Sequence, residues 1–576
     1  MRAYALLLPV ATSLLATTPA RAQLDMSLIE EQERAREPGG APTDADGVHF
    51  QSVFFPAGDR PAQPEGFFPE LVLDTGRIEP PAPAPERMSF SFHGEYQLRF
   101  RAFTDLPLTP PLRATGEEGR NLGQNWHLYQ WMRYRPVFRY DEVLEIRGEL
   151  DFPRGFIAGT PTELVDAARD DFAERRWYGV RPRQLYLQYL TPLGMVRVGH
   201  QTSHWGMGLL ANDGDHQSLF GDYRRGTIVE RLLFATRPGG QDSALLVALA
   251  ADVVFQDPLA DLLDGDRALQ LVGAIRFEQP HWNIGAYGVF RHQERDGESS
   301  GPFTPYTEHI TVGVGDIAGS FNAPIAGTTS HLFGEMEATI IAGDTSYLRT
   351  IDQTSGGTEE KVLSFGGAAK LGIVSTSVAQ DGRRFGRFVL AAEYGYASGD
   401  ADPYDGTTRR FTFDQNHNVG LVLFDQVMAW KTARAATIAQ DPNIVNRPNP
   451  GLDLLPSEGA VFGASYVNPT AVVRPLHWID LKAGVVIAQA TADVVSPYRA
   501  GALGDYTNYE GGDETSHDLG VELDAGFDLR VPVTNAFVIT GGAEGGVLFP
   551  GKAFANAAGE SYPNQYLLNS KFGLQY

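Results

Sequence analysis

The sequence predicts an all-β protein: a transmembrane antiparallel β-barrel of about eighteen strands, with sixteen as the alternative count. Three observations carry that expectation. The closing stretch from Tyr566 to Tyr576 sets Tyr566, Leu568, Phe572, Leu574 and Tyr576 against Asn569, Lys571 and Gln575, the period of two that a strand between hydrocarbon and water requires. The same period recurs along the chain from Ser89 onward. Nowhere after Ala22 is there a run of about eighteen apolar residues, so a spanning helix is excluded by length and only closed strands remain as a way across a bilayer.

Composition is compatible with this without deciding it. The chain has 576 residues, 63 of them Gly, and 11% aromatic residues, enough for one large barrel or several soluble β domains. A mean hydropathy of -0.22 does not discriminate, because in a barrel each lipid-facing residue is averaged with a lumen-facing neighbour. The net charge of -24 argues against a nucleic-acid partner, which calls for a basic surface. Cys is absent, so neither a lipid anchor on the amino-terminus nor a disulfide enters the expectation.

The first element is a signal peptide over 1–22: Arg2 supplies the positive region, Leu6 to Ala16 the apolar one, and Ala20-Arg21-Ala22 the cleavage site. Residues 23–87 follow as a proline-rich periplasmic arm or linker, punctuated by Pro38, Pro56, Pro69, Pro80 and Pro85 among others. The barrel occupies 88–576. In its first strand Phe90, Phe92, Tyr96, Leu98 and Phe100 alternate with His93, Glu95, Gln97, Arg99 and Arg101. Periodicity places strands near 89–103, 127–140, 143–152, 183–190, 195–202, 226–236, 243–255, 268–278, 281–292, 306–316, 329–342, 361–375, 385–397, 459–473, 476–490, 515–531, 536–549 and 565–576. The weakest of these is 306–316. The stretch 417–440, helical in pattern from Met428 to Gln440, is placed in an external loop.

Short connections (Asp141-Glu142, Thr191-Pro192-Leu193-Gly194, Arg474-Pro475, Pro532-Val533-Thr534) alternate with long polar ones. That is the asymmetry of a bacterial barrel, with turns in the periplasm and loops outside. Trp126, Trp131, Tyr134, Tyr140, Trp282, Tyr287, Tyr394, Tyr396, Trp478 and Tyr576 are the aromatics expected to cluster at the two ends of the strands, some of them facing inward. A lumen of this width is not filled by facing side chains unaided, so an aqueous pathway is the default consequence.

Two inward faces carry charge. Arg99, Arg101, Arg133, Arg135, Arg139, Arg147 and Arg197 form a basic series on the early strands, suited to guiding an anionic solute because guanidinium does not titrate away. The competing reading is that they pair with Glu95, Glu145, Glu149 and Asp151 and hold the wall together. On the late strands Asp518, Glu522, Asp524 and Asp528 share an inward face with only Arg530 for relief, so an acidic wall would face a basic one and set up a transverse field. Asp400, Asp402 and Asp405 cluster with Gly399 and Gly406 in an external loop that could wrap calcium, although the spacing misses the EF-hand pattern by one residue and a solvated acidic loop is the plainer reading. No other cofactor is expected. Ser203-His204, and His216 with Asp213 or Asp215, supply a nucleophile and a base by type, but no G-x-S-x-G lies near them. An outer-membrane enzyme is therefore the lesser reading, behind a plugged structural or adhesive barrel.

The stretch Ala392-Glu393-Tyr394-Gly395-Tyr396-Ala397-Ser398-Gly399-Asp400 with Phe411 to Asp414 resembles the alginate-export family of outer-membrane porins. So does Arg183 to Leu187 through Val196-Arg197-Val198-Gly199-His200-Gln201 and Trp205-Gly206, where His200 replaces the family's Arg. The resemblance implies an eighteen-stranded barrel with an Arg-containing lumen that passes an anionic polysaccharide or other acidic solute. It further implies that Arg197 and Gln201 line the pore and that Asp400, Asp402 and Asp405 shape an external loop. An aromatic carboxy-terminus resembles the signal that outer-membrane barrels present to their assembly machinery, which makes that machinery, through Tyr576, and outer-membrane lipid the expected partners in a Gram-negative bacterium.

Overall fold

The computed structural model describes residues 88–576 apart from 110–119, 124, 142, 160–178, 217, 222–225, 241–242, 297–306, 329, 347–358, 379–383, 404, 441–454, 477, 498, 501–503 and 535–536. The expected signal peptide and proline-rich arm lie outside the described residues. Eighteen long strands form one antiparallel sheet that closes on itself. They are β1 (Met88–Phe103), β2 (Asn125–Tyr140), β3 (Leu144–Gly159), β4 (Gly179–Thr191), β5 (Gly194–Thr202), β6 (Ile228–Thr236), β7 (Leu245–Asp257), β8 (Arg267–Gln279) and β9 (Trp282–Asp296). The second half is β10 (Thr307–Pro324), β11 (Ser330–Thr345), β12 (Glu360–Val378), β13 (Arg384–Ala397), β14 (Ala464–Leu476), β15 (Ile479–Ala490), β16 (Asp518–Thr534), β17 (Phe537–Pro550) and β18 (Gln565–Gln575).

Closure is made by the two terminal strands. β1 runs beside β2 from Met88↔Tyr140 to Phe103↔Asn125, and on its other edge beside β18 from Glu95↔Gln575 to Phe103↔Leu567. The seam is finished by reciprocal backbone bonds between Gly94 and Tyr576, each 3.0 Å. The barrel thus leaves neither terminal strand as an open edge.

Each expected strand is present, including the weakest, which extends over the whole of Thr307–Pro324. Alternation explains why. Leu249, Leu271, Ile275, Phe290, Leu371 and Tyr566 stand on the outer surface more than half exposed, while neighbours such as Arg231, Asp252, Glu337 and Asn569 are buried inside. An apolar exterior over a polar interior inverts a soluble sandwich and fits hydrocarbon outside. Among the described residues no helix is long and apolar enough to cross a membrane.

Of the aromatics expected at the strand ends, Trp131 and Tyr287 are the ones that point inward and are buried, whereas Trp126, Tyr140, Trp282, Tyr394 and Trp478 stand outside. Two expectations are corrected. A register shift at Ala488/Gln489 inverts the start of β16: Leu519 is buried and Asp518 is exposed, so Asp518 does not share the inward face of Glu522 and Asp524. Strands also run further than the turn residues indicate, since β14 contains Arg474-Pro475 and β16 contains Pro532-Val533-Thr534.

Candidate functional site

Two connections on the long-loop rim turn inward and meet inside the barrel. The first, 203–221 between β5 and β6, crosses to the opposite wall. Its Trp205 indole donates to Asp316 on β10 at 2.7 Å and stacks on Tyr287 of β9 at 5.2 Å between centroids. The Met207 and Leu209 amides donate to Glu337 on β11 at 2.5 and 3.3 Å. Gly206 is required here: at φ 57° a Cβ would lie 2.5 Å from the Glu337 Oε2 atom that receives Met207. Further along, the Gly221 amide donates to Glu544 on β17 at 3.3 Å, and Lys482 of β15 donates to the Leu219 carbonyl at 2.8 Å.

The second segment belongs to the 398–463 connection and contains the helical stretch. It is helical as expected, as a π-helical turn Leu423–Met428 followed by α1 (Ala429–Gln440), but it does not lie outside. Leu421, Val422, Leu423, Phe424 and Val427 are fully buried within the barrel. They pack with Leu106 and Leu108 from 104–123, Leu209 and Phe220 from the first segment, and Phe103, Trp131 and Tyr466 from the wall. An apolar helix in a water-filled lumen would be unstable alone, and a large continuous core from several connections removes it from water.

Glu522 of β16 seats this segment by accepting the amides of Leu421, Val422 (2.7 Å) and Leu423 (2.7 Å). The two segments also bind each other. Asp414 donates its amide to the Leu209 carbonyl at 2.6 Å, and the Asn418 side chain donates to the Phe220 carbonyl at 3.1 Å. His417 bridges the Met207 carbonyl (3.1 Å) and Glu393 of β13 (3.0 Å). On α1, Lys431 reaches the Pro107 carbonyl and Glu510; burial pushes its ammonium below its ordinary value, with Glu510 opposing.

The expected basic series lines the wall of β1 to β5, and its members are engaged. Arg133 grips Asp151 at 2.6 and 3.0 Å and Asp215 at 2.7 Å. Arg135 reaches Glu149 at 3.0 Å and Glu95 at 3.6 Å. Arg139 and Arg147 share Glu145, each at 3.0 Å. Arg99 donates to Gln97 and lies over Trp131; Arg101 donates to Asn569 at 3.0 Å, with Asp425 of the inner helix 3.8 Å away. Arg197 donates to Gln188 at 2.5 Å and covers the Tyr186 ring. Gln201 faces inward but is tied to the backbone of Gly199 and Arg231. Arg139 is the most exposed of the series, with Arg135 and Arg147 partly so.

Sequence reading missed Arg154 and Arg183, which complete this wall, and Arg231 on the neighbouring β6, which pairs with Asp252 at 2.7 Å. Arg183 donates to Asp215 at 2.7 Å and lies 2.8 Å from Glu149. Burial pushes the Asp215 carboxyl up, and the Arg183 and Arg133 guanidiniums more than offset it. The signal was available at Arg183, which follows Arg181 at strand spacing.

The acidic face of the late strands is not a bare wall, because lysines from neighbouring strands answer it. Asp528 pairs with Lys482 at 3.1 Å and Lys571 at 2.8 Å, and Lys482 also holds Glu544 at 2.9 Å. Arg530, expected to relieve this face, binds Asp480 instead at 2.6 Å. Asp524 is buried against Gly546 with Val422. The expected contrast between an acidic and a basic half is thus largely neutralised within each half.

The external acidic loop is built on its own donors. Asp400 accepts the amides of Asp402 (3.0 Å) and Arg409 (2.7 Å), Asp405 pairs with the Arg409 guanidinium at 2.7 Å, and Tyr506 donates to Asp402 at 3.1 Å. Around the expected nucleophile, the Ser203 hydroxyl receives Arg231 at 3.1 Å. His204 is stacked on His216 at 3.8 Å.

The fold and site define a closed antiparallel barrel of eighteen strands, apolar outside and charged within, narrowed by two inward connections. No protein-family model and no curated protein matches the chain, so the likeness to the alginate-export family rests on the two sequence stretches alone. Among solved structures it is similar to Acinetobacter baumannii OccAB1, at 10% identity over 84% of this chain and 96% of that one, with a TM-score of 0.43. Two Pseudomonas aeruginosa proteins are comparable: OccK5 (OpdH), at 8% identity, 84% and 98% coverage and a TM-score of 0.43, and OpdQ, at 9% identity, 85% and 97% coverage and a TM-score of 0.42.

Proposed function

We propose that the protein is an outer-membrane channel of a Gram-negative bacterium, admitting a polar and preferably anionic solute past a constriction formed by 203–221 and 417–435. The observation that carries this reading is the inward arginine series of β1 to β5 in a closed barrel with an apolar exterior. Paired arginines retain donors while fixed in place, so they present a rigid rail of partial positive charge to a passing carboxylate. The apolar exterior supports insertion in lipid, and β18 ending beside Tyr576 supports assembly by the machinery that reads such strands.

The experiment is reversal potential in a planar bilayer under a salt gradient, for the unmodified protein and for Arg135→Gln combined with Arg147→Gln, two partly exposed members of the series. Anion preference that declines in the variant supports the channel and its rail together. A folded protein that passes no current would favour the plugged structural barrel, for which the apolar packing of Leu421 to Trp430 inside the lumen is the specific observation.

A further inference from the structure

We propose that His204, Asp213 and His216 form a binding site for a divalent transition metal of the zinc class, carried by the inward segment 203–221. The three side chains offer one donor atom each, all within 4.8 Å of one another. Asp213 Oδ1 lies 2.9 Å from His216 Nδ1 and 3.7 Å from His204 Nδ1. A zinc-class ion held about 2.0–2.1 Å from each of three tetrahedral donors separates them by about 3.3 Å. The two observed separations bracket that value, and the ion enters when one of the two stacked rings turns out of the stack so that both nitrogens face it.

The state of His204 points the same way. It is 5% exposed, and its Nδ1 finds no hydrogen-bond partner among the described residues, although an orphaned buried nitrogen carries a desolvation cost. The atom is aimed into the cluster, and a metal would satisfy it. Two imidazoles with one carboxylate favour zinc, nickel, cobalt or copper over calcium or magnesium, which take oxygen donors.

The supporting shell is already in place. Asp213 Oδ1 also accepts the Asp215 amide at 2.9 Å, and Asp215 is fixed by Arg133 and Arg183. Asn212 ties the turn through the Gly214 amide at 2.9 Å and the Gly208 carbonyl at 3.1 Å. A carboxylate held this way loses little freedom when it binds, and three protein donors leave a coordination position open to water or solute. A bound ion would cross-link 204 to 216 within the segment that narrows the lumen. The inference concerns binding and does not depend on the channel reading. The second cluster of this kind, His309 with Asp344 and Glu359, faces its carboxylates with Nε2 at 3.6 and 3.3 Å but is open to solvent and holds no orphaned buried nitrogen, so it serves as a control.

The test uses the full-length barrel folded in detergent, stripped with a chelator and titrated with Co²⁺, followed by visible ligand-field absorption and then by displacement with Zn²⁺. Expected is uptake of a single equivalent that zinc displaces. Asp213→Asn and His216→Gln should each weaken uptake by at least about ten-fold, and His309→Gln should not change it. His216 is the most accessible of the three, so its variant keeps the barrel, which circular dichroism and heat-modifiable mobility check. A folded unmodified protein that takes up no Co²⁺, uptake that survives His216→Gln, or uptake lost in His309→Gln would each overturn the assignment.

Discussion

Glu522 on the barrel wall receives the Val422 amide at 2.7 Å, and the same carboxylate collects the amides of Leu421 and Leu423 on either side. Three successive N–H groups converging on one buried carboxylate form an anion nest, and here the anion belongs to the scaffold. Residues a hundred positions apart in the chain thereby fix where the inner helix begins. Glu522→Ala would orphan these amides and cost the segment about 2–4 kcal/mol of local stability while leaving the strand ladder intact. We expect larger or noisier single-channel conductance and faster proteolysis near 423–440, with unchanged heat-modifiable mobility. Unaltered conductance and proteolysis would show that the apolar packing alone seats the helix.

The first inward segment is held by shape as well as by hydrogen bonds. Gly285 on β9 lies under Trp205, and a Cβ there would stand 2.7 Å from the indole Cη2 and 3.2 Å from Cζ2. Gly285→Val suits a strand backbone but has no room beneath the ring, so it should expel Trp205 from its stack on Tyr287 and from Asp316, at about 1–3 kcal/mol. Red-shifted tryptophan fluorescence together with increased conductance is the expected pair of signals. A shift in neither would mean that the wall, and not the indole, gives way.

How much of this was legible in the sequence follows from what sets each feature. Strand phase was legible because lipid and water impose opposite demands on successive residues, so Phe100 and Arg101 declare their faces without reference to anything distant. The destination of 417–440 was not. Its helical pattern reads the same whether the apolar side meets solvent or other loops, and the nest on Glu522 joins residues about a hundred positions apart. The same limit hid the lysines: Lys482 and Lys571 reach Asp528 from β15 and from β18, contacts fixed by strand neighbourhood and register. At Asp518 a one-residue bulge overturned the phase, which period counting does not detect.

Arg133 and Arg197 separate the two uses of a buried arginine. Arg133 grips the buried Asp151 with two donors and shares Asp215 with Arg183, so Arg133→Ala leaves Asp151 on Arg154 alone and Asp215 on Arg183, and should cost about 1.5–3 kcal/mol. Arg197 donates to the neutral Gln188; Arg197→Gln should cost far less stability. We expect a lowered unfolding midpoint in denaturant for the first and a near-normal midpoint for the second. Equal losses would mean that Arg154 and Arg183 hold these carboxylates as well without Arg133 as with it.

Tyr562 gives the inner core a dependence on alkaline pH. It lies in the connection before β18, packed on Phe554 at 5.3 Å, with Lys431 5.2 Å from its ring, and its hydroxyl finds no partner among the described residues. Burial, and then the Glu510 carboxylate, hold its phenol well above the ordinary 10.0. A group that keeps its proton longer when folded contributes stability below its unfolded value, and that contribution is lost as pH rises past it. The decline should therefore begin above pH 10 and approach about 1.4 kcal/mol per pH unit. Tyr562→Phe removes an unsatisfied hydroxyl and should be neutral or mildly stabilising at pH 7 while flattening the alkaline decline. Spectrophotometric titration of the phenols, taken as the difference between the unmodified protein and Tyr562→Phe, isolates this one group among 22 tyrosines. A difference midpoint at or below 10 would place Tyr562 in contact with water and remove it from the packing that seats α1.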